Sequence, residues 1–213
     1  MPDPALVIIA RAPEEGRVKT RLAAGIGVPG ALAVYRQLLA SVAQVQAGWA
    51  GPVLLTTTGA ADAWAGTGLE HLPRRPQASG GLGCRIAAAL QWGLLHRDRA
   101  IAIGTDCPGL EAVHLRRLAA ALNQAPVAFG PAEDGGYWGV AVADPAAIPL
   151  LADDALPWST PEILQVSQQC LAAAGFPSAL GDTLADCDDA DDLAVAVSAG
   201  FLTWPQPAAE IRR

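Results

Sequence analysis

The sequence predicts an α/β protein, and three observations carry that reading. Residues 5–10, Ala-Leu-Val-Ile-Ile-Ala, are a continuous apolar run, as expected of a central parallel strand buried on both faces. Residues 101–104 form a second short apolar run that stops at Gly104 and is followed at once by Thr105-Asp106-Cys107-Pro108. Pro108 has no N–H for a ladder and biases Cys107 away from helix, so a strand must end there and deliver Asp106 to the rim of the sheet. Between strand-like runs lie segments of helical period, the clearest being Leu32, Tyr35, Leu38/Leu39, Val42 and Val45. In open α/β sheets ligands bind outside the carboxyl ends of the strands, so Asp106 is placed to hold a divalent metal against phosphates. The competing explanation is that Asp106 caps the helix expected from about Glu111.

Taken in order, the first strand runs into a polar loop, Arg11 to Leu22, with four cations in Arg11–Arg21 and Gly16 for a tight turn. It has neither the G-x-x-x-x-G-K-[ST] nor the G-x-G-x-x-G spacing, and its position after the first strand points to an anion site. The helix spans about 31–47, a second strand 52–58, a short helix 60–65 and an extended piece 71–76. Residues 77–85, Gln-Ala-Ser-Gly-Gly-Leu-Gly-Cys-Arg, form a glycine-rich turn feeding a helix to about His96. Such a turn leaves backbone N–H groups free at a helix N-terminus, where Gly80, Gly81 and Gly83 let a base or phosphate approach.

A helix is expected over 111–123, a strand over 127–129, and a hairpin around Asp134-Gly135 returning through a strand at 137–142. Ser159 or Thr160 is expected to cap a helix that opens at Pro161 and runs to about Ala174. Six of the chain's 14 aspartates fall between Asp182 and Asp192. Asp189 suits an N-cap, and Asp191 and Asp192 suit a first helical turn, which leaves Asp186 and Asp188 without a capping role. Crowding Asp186, Asp188 and Asp189 costs repulsion that a bound cation relieves. The end from Pro205 to Arg213 reads as poorly ordered.

Composition narrows the function classes. At 213 residues, 52% apolar and 16% charged, the chain is long enough for a full core and reads as one domain over 1–213. The net charge of −7 argues against a nucleic-acid surface. No apolar run approaches a membrane span and no basic-then-apolar leader is seen, so a cytoplasmic location is expected. The four cysteines make no C-x-x-C pair and read as buried thiols, and the three histidines have no i, i+4 pairing, which leaves zinc without support. Of 14 cationic residues, 13 are arginine; the one lysine, Lys19, lies in the first loop, a compact point charge suited to phosphate oxygens.

These stretches, in this order, resemble a bacterial glycosyltransferase-A-like family, sometimes described as arsenosugar-biosynthesis glycosyltransferases. They are Arg11-Ala12-Pro13 through Lys19-Thr20-Arg21-Leu22, Gly80 through Arg85, Gly104 through Leu110, Gly130 through Trp138, Trp158-Ser159-Thr160, and Asp186 through Leu193. More distantly they are similar to molybdenum-cofactor and phospholactate guanylyltransferases. The resemblance implies a three-layer glycosyltransferase-A, or nucleotide-diphospho-sugar transferase, fold: a mostly parallel mixed sheet between helices, binding a nucleoside phosphate with Mg²⁺ or Mn²⁺. Carried over by position, Lys19 and Arg21 contact phosphates, with Arg11 standing where lysine is usual in that loop. Asp106 is the metal aspartate and Asp188 the second metal ligand, with Asp186 next in line. The chain departs from the family pattern in Cys84, where an acid is usual, and in Asp189, where threonine is usual.

The reading that results is a metal-dependent glycosyltransferase using a nucleoside-diphosphate sugar and an unidentified small-molecule acceptor. Asp134 on the hairpin is the expected base for the acceptor hydroxyl. Two alternatives remain open: a nucleotidyltransferase acting on an NTP with the same metal site, and a nucleotide-binding module without catalysis.

Overall fold

The computed structural model describes residues 2–205; the expectation for the end of the chain after Pro205 lies outside the described residues. Seven strands form one sheet: β1 (Ala5–Arg11), β2 (Val53–Thr58), β3 (Arg74–Pro76), β4 (Ala100–Ile103), β5 (Val127–Pro131), β6 (Tyr137–Val142) and β7 (Ser178–Leu180). Their order is β3-β2-β1-β4-β6-β5-β7. All pairings are parallel except those of β6, which is antiparallel to β4 and β5. A single reversed strand makes the sheet mixed and mostly parallel, as expected.

Strand alternation decides what each face receives. Leu6 and Ile8 of β1, with Ile101 and Ile103 of β4, face one apolar cluster, while Val7, Ala100 and Ala102 face another. The first cluster is closed by α1 (Thr20–Ile26), α2 (Val28–Ala47), α4 (Ala112–Ala121) and α7 (Ala190–Ser198), through Leu22, Val34, Leu38, Leu115, Leu118 and Leu193. The second is closed by α3 (Leu82–Leu94), α5 (Ile148–Leu151) and α6 (Ile163–Ala173), through Ile86, Leu90, Leu151 and Leu171. Both central strands are therefore buried on both sides, which is why they read as unbroken apolar runs.

Several boundaries move. The first loop is shorter than expected because α1 already begins at Thr20, and the next helix starts at Val28 rather than 31, with Pro29 in its first turn. Residues 60–65 hold only a single 3₁₀ turn at Asp62–Trp64. Neither β7 nor α5 has a sequence signal: each is three or four residues long, too short to show a period. Ser159 and Thr160 do not cap α6. Ser159 has φ +63°, and Thr160 Oγ1 donates to the Pro157 carbonyl instead, at 2.8 Å. The cysteines divide: Cys107 and Cys187 are buried, but Cys84 is only partly so and Cys170 is exposed.

Close approach of α3 to the sheet depends on Gly93. A Cβ there would lie 2.8 Å from the Ala100 Cβ and 3.1 Å from Val7 Cγ2. Gly93→Val is therefore expected to destabilise the protein by about 1–3 kcal/mol through overpacking. Urea unfolding checks this, and an unchanged midpoint would show that α3 can shift outward freely.

Candidate active site

The parallel strands β1, β2, β4 and β5 end on one side of the sheet, and the reversed β6 begins there, with Gly104 N–H bonded to the Trp138 carbonyl at 3.0 Å. The chain after β7 crosses this same edge. Leu184 pairs with Ala132, Glu133 N–H donates to the Leu184 carbonyl at 3.1 Å, and Cys187 N–H donates to the Asp106 carbonyl at 2.9 Å. That last bond ties the segment before α7 to the end of β4. Asp188 is thereby brought to Asp106 across some 80 residues of sequence.

Lys19 joins them. Its Nζ forms ion pairs with Asp106 Oδ1 and with Asp188 Oδ1, the latter at 2.9 Å, and donates to the Cys187 carbonyl at 2.8 Å. The Arg21 guanidinium pairs with the other oxygen of Asp188. The Lys19 side chain is 5% exposed, against 52% for Asp106 and 74% for Arg21. Burial alone would lower the Lys19 pKa, but the carboxylates of Asp106 and Asp188 outweigh it and raise the pKa above the usual lysine value. Lys19 also adopts the left-handed region, φ 46° and ψ 49°, just before α1. For a non-glycine residue this costs about 1–2 kcal/mol, which the bonds of the ammonium offset.

The floor beneath this cluster is equally ordered. Tyr35 Oη accepts from the Arg11 N–H at 3.2 Å and donates to the Arg11 carbonyl at 2.9 Å, holding the end of β1. Burial pushes its phenol up to about 12, so it stays a donor. Asp106 itself does not cap α4. Glu111 takes that position, in a reciprocal arrangement with His114. Asp189 does cap α7, accepting from the N–H groups of Asp191 and Asp192. Asp192 in turn accepts from the N–H groups of Asp188 (2.8 Å) and Asp189 (3.1 Å), which fixes the backbone that carries Asp188.

The remaining candidates are not in this contact set. Arg11 is exposed and reaches only the Arg17 carbonyl, at 3.5 Å, while Arg17 pairs on the surface with Glu14. The glycine turn does stand at the same edge, because the Gln77 side chain donates to the Ala10 carbonyl at 3.0 Å. Gly80 has φ +104°, and Gly81 precedes α3 with no side-chain cap, which leaves backbone N–H donors at the helix start. Gly83 has a different reason to be glycine. A Cβ there would lie 2.6 Å from Trp158 Cζ2 and 2.8 Å from the Leu151 carbonyl, so the close approach it allows is to the protein's own chain. Asp134 Oδ1 accepts from Gly136 N–H at 2.8 Å, the turn chemistry that Asp-Gly predicts.

Asp186 is the residue that sequence reasoning underweighted. It is half-buried, and its carboxyl is pushed up to about 6, first by burial and then by the charge of Asp134, with smaller contributions from Asp188 and Asp192. Its lack of a capping role was the one available signal. Among the described residues no group of three or more His, Cys, Asp or Glu side chains is gathered as a metal cage. The donor set still suits Mg²⁺ or Mn²⁺ arriving with a nucleotide, because such ions are commonly held by one or two carboxylates plus substrate phosphates. Asp106 and Asp188 already converge on one cationic centre.

The profile of the family described as "Uncharacterized protein conserved in bacteria (DUF2064)" matches residues 39–160, more than half of the chain. The chain belongs to this family. A search among curated proteins gives no match. Among solved structures, a candidate nucleotide-diphospho-sugar transferase from Desulfovibrio desulfuricans G20 superposes with a TM-score of 0.83 at 24% identity, covering 100% of this chain and 91% of that one. The 2-C-methyl-D-erythritol 4-phosphate cytidylyltransferase of Thermus thermophilus gives 0.59 at 14% identity, covering 94% and 100%. A Mycobacterium tuberculosis H37Rv protein solved in complex with manganese gives 0.55 at 15%, covering 92% and 99%. This DUF2064 chain thus has the nucleotide-diphospho-sugar transferase fold that its sequence resembles. Among its described residues no helix is long and apolar enough to cross a membrane.

The raised Asp186 carboxyl has a signed consequence. The folded state takes up its proton first as pH falls, so the stability lost to this buried charge at neutral pH is regained between about 6 and the ordinary value of 3.8. Asp186→Asn is expected to raise the melting temperature at pH 7.5, measured in chelator, with the gain shrinking at pH 4.5. An equal gain at both pH values would show that the carboxyl titrates normally.

Proposed function

We propose that this chain is a metal-dependent transferase that uses a nucleoside-diphosphate sugar as donor. The observation that carries this reading is the convergence of Asp106 and Asp188, from separate segments, at the carboxyl ends of the parallel strands. That is where the fold favours a ligand. Asp106 and Asp188 would hold Mg²⁺ or Mn²⁺, which when bound neutralises the diphosphate that leaves.

The protein's own groups do the rest. Arg21, with most of its guanidinium in solvent, supplies donors to the diphosphate oxygens, and Arg11 adds positive potential at the mouth of the same loop. The N–H groups around Gly80 and Gly81, at the start of α3, bind a phosphate or the edge of the base. Lys19 becomes a phosphate contact once its ammonium leaves the two carboxylates that now hold it. The bond that breaks joins the anomeric carbon to the diphosphate oxygen, and the bond that forms joins that carbon to the acceptor oxygen. The acceptor's proton passes to Asp134, whose carboxylate keeps an oxygen beyond the one that receives Gly136. The nucleoside diphosphate leaves with the electron pair.

The second reading, nucleotidyl transfer from an NTP, draws support from the superposition on the cytidylyltransferase. It uses the same carboxylates but directs attack at an α-phosphate, with pyrophosphate as the leaving group. Nucleotide without turnover is the third outcome, that of a binding module. Incubation with Mn²⁺ and a panel of sugar nucleotides and NTPs separates them. Release of nucleoside diphosphate from a sugar nucleotide supports the proposal, pyrophosphate release supports nucleotidyl transfer, and binding with no release overturns both.

Mn²⁺ and nucleotide together are expected to raise the melting temperature by more than the sum of their separate effects. A ligand confined to the folded state adds about 2.7 kcal/mol at a hundredfold excess over Kd. Asp106→Asn and Asp188→Asn are each expected to abolish the excess. Retention of the synergy in both variants would remove the aspartates from the metal site.

A further inference from the structure

We propose that Lys19 is the resident counter-cation of the Asp106–Asp188 pair, and that a divalent metal enters by displacing its ammonium, which then turns to the phosphates. This rests on the metal site proposed above and adds an exchange that the site must undergo.

Three observations carry it. An ammonium has three N–H donors, and those of Lys19 meet Asp106 Oδ1, Asp188 Oδ1 and the Cys187 carbonyl. With its side chain 5% exposed, no donor remains for a phosphate, so Lys19 cannot contact one from where it stands. The charges also balance. Asp106 and Asp188 are matched by Lys19 and Arg21, so a metal ion added to the intact quartet would leave two positive charges without partners. Displacement of the ammonium frees the facing oxygens of both aspartates, and a diphosphate brings the negative charge that receives metal and lysine together. Finally, the left-handed backbone at Lys19 is held by these bonds, so their loss lets the residue relax toward an ordinary conformation.

The sole lysine makes the exchange measurable on the unaltered chain. Acylation with an N-hydroxysuccinimide acetate, followed by mass spectrometry, reads the Lys19 amine against the α-amino group as internal control. Without nucleotide, saturating Mg²⁺ is expected to raise Lys19 acylation about tenfold over NaCl of equal ionic strength, a shift equivalent to about 1.4 kcal/mol, with the control unchanged. In parallel, Lys19→Gln is expected to bind Mn²⁺ about tenfold tighter than the unaltered chain in the absence of nucleotide, by electron paramagnetic resonance titration. If Mg²⁺ leaves acylation unchanged, the exchange is overturned. It is overturned even if the synergy of Mn²⁺ with nucleotide is intact, and the metal-site reading then survives without it. If neither protein takes up Mn²⁺ with or without nucleotide, both fall. Should Lys19→Gln not fold, acylation of the unaltered chain decides alone.

Discussion

The structure depends on one buried ammonium. Lys19 sits between Asp106, from the end of β4, and Asp188, from the approach to α7, and also takes the Cys187 carbonyl. An unpaired charge at that depth would cost several kcal/mol, and two facing carboxylates without a cation would drive one of them to take up a proton. The three segments are therefore interdependent. The loop after β1 can be buried only where the acids are, and the acids can approach each other only around the lysine.

Much of the surrounding structure serves to hold those segments. The Cys187 N–H reaches the Asp106 carbonyl, Asp192 fixes the backbone N–H groups of Asp188 and Asp189, and Tyr35 holds both backbone groups of Arg11. Asp192 illustrates how one residue can serve both local and tertiary needs. It belongs to the first turn of α7, where an acid interacts well with the helix dipole, and it also fixes the backbone of Asp188, the residue that pairs with Lys19 and Arg21. The glycine turn is divided in a similar way. Gly80 and Gly81 leave backbone donors open at the start of α3, while Gly83 lets Trp158 and Leu151 close over the same helix.

The aspartate-rich segment shows why a count of acids does not by itself make a site. Asp189, Asp191 and Asp192 are accounted for by the helix they begin, and Asp182 pairs with Arg117 on the surface. Only Asp186 and Asp188 are left without a capping role or a surface pairing with Arg117. They differ sharply: Asp188 is met by Lys19 and Arg21, whereas Asp186 meets mostly other acids and burial. The same segment thus presents one carboxylate paired with two cations and one whose pKa is pushed up to about 6 by burial and neighbouring acids.

The sequence alone determined the α/β class, the central strands and the place of Asp106 at the end of β4, and it left Asp186 and Asp188 as the two acids of the last cluster without a capping role. Burial on both faces writes itself as an unbroken apolar run, and a strand that must stop before Pro108 places Asp106 at the rim wherever the rest of the chain lies. Helix-cap chemistry is local too, so Asp189 was legible as a cap and Asp188 as a residue left over. What only the tertiary structure decided was partnership. That Lys19 faces carboxylates instead of open solvent, that Gly83 yields to Trp158, and that β7 joins the sheet beside β5 are all contacts between residues distant in sequence. Such contacts leave no period, spacing or local propensity behind. They arise from the packing of loops at the end of a sheet, where burial, charge and the close approach of backbones are settled together.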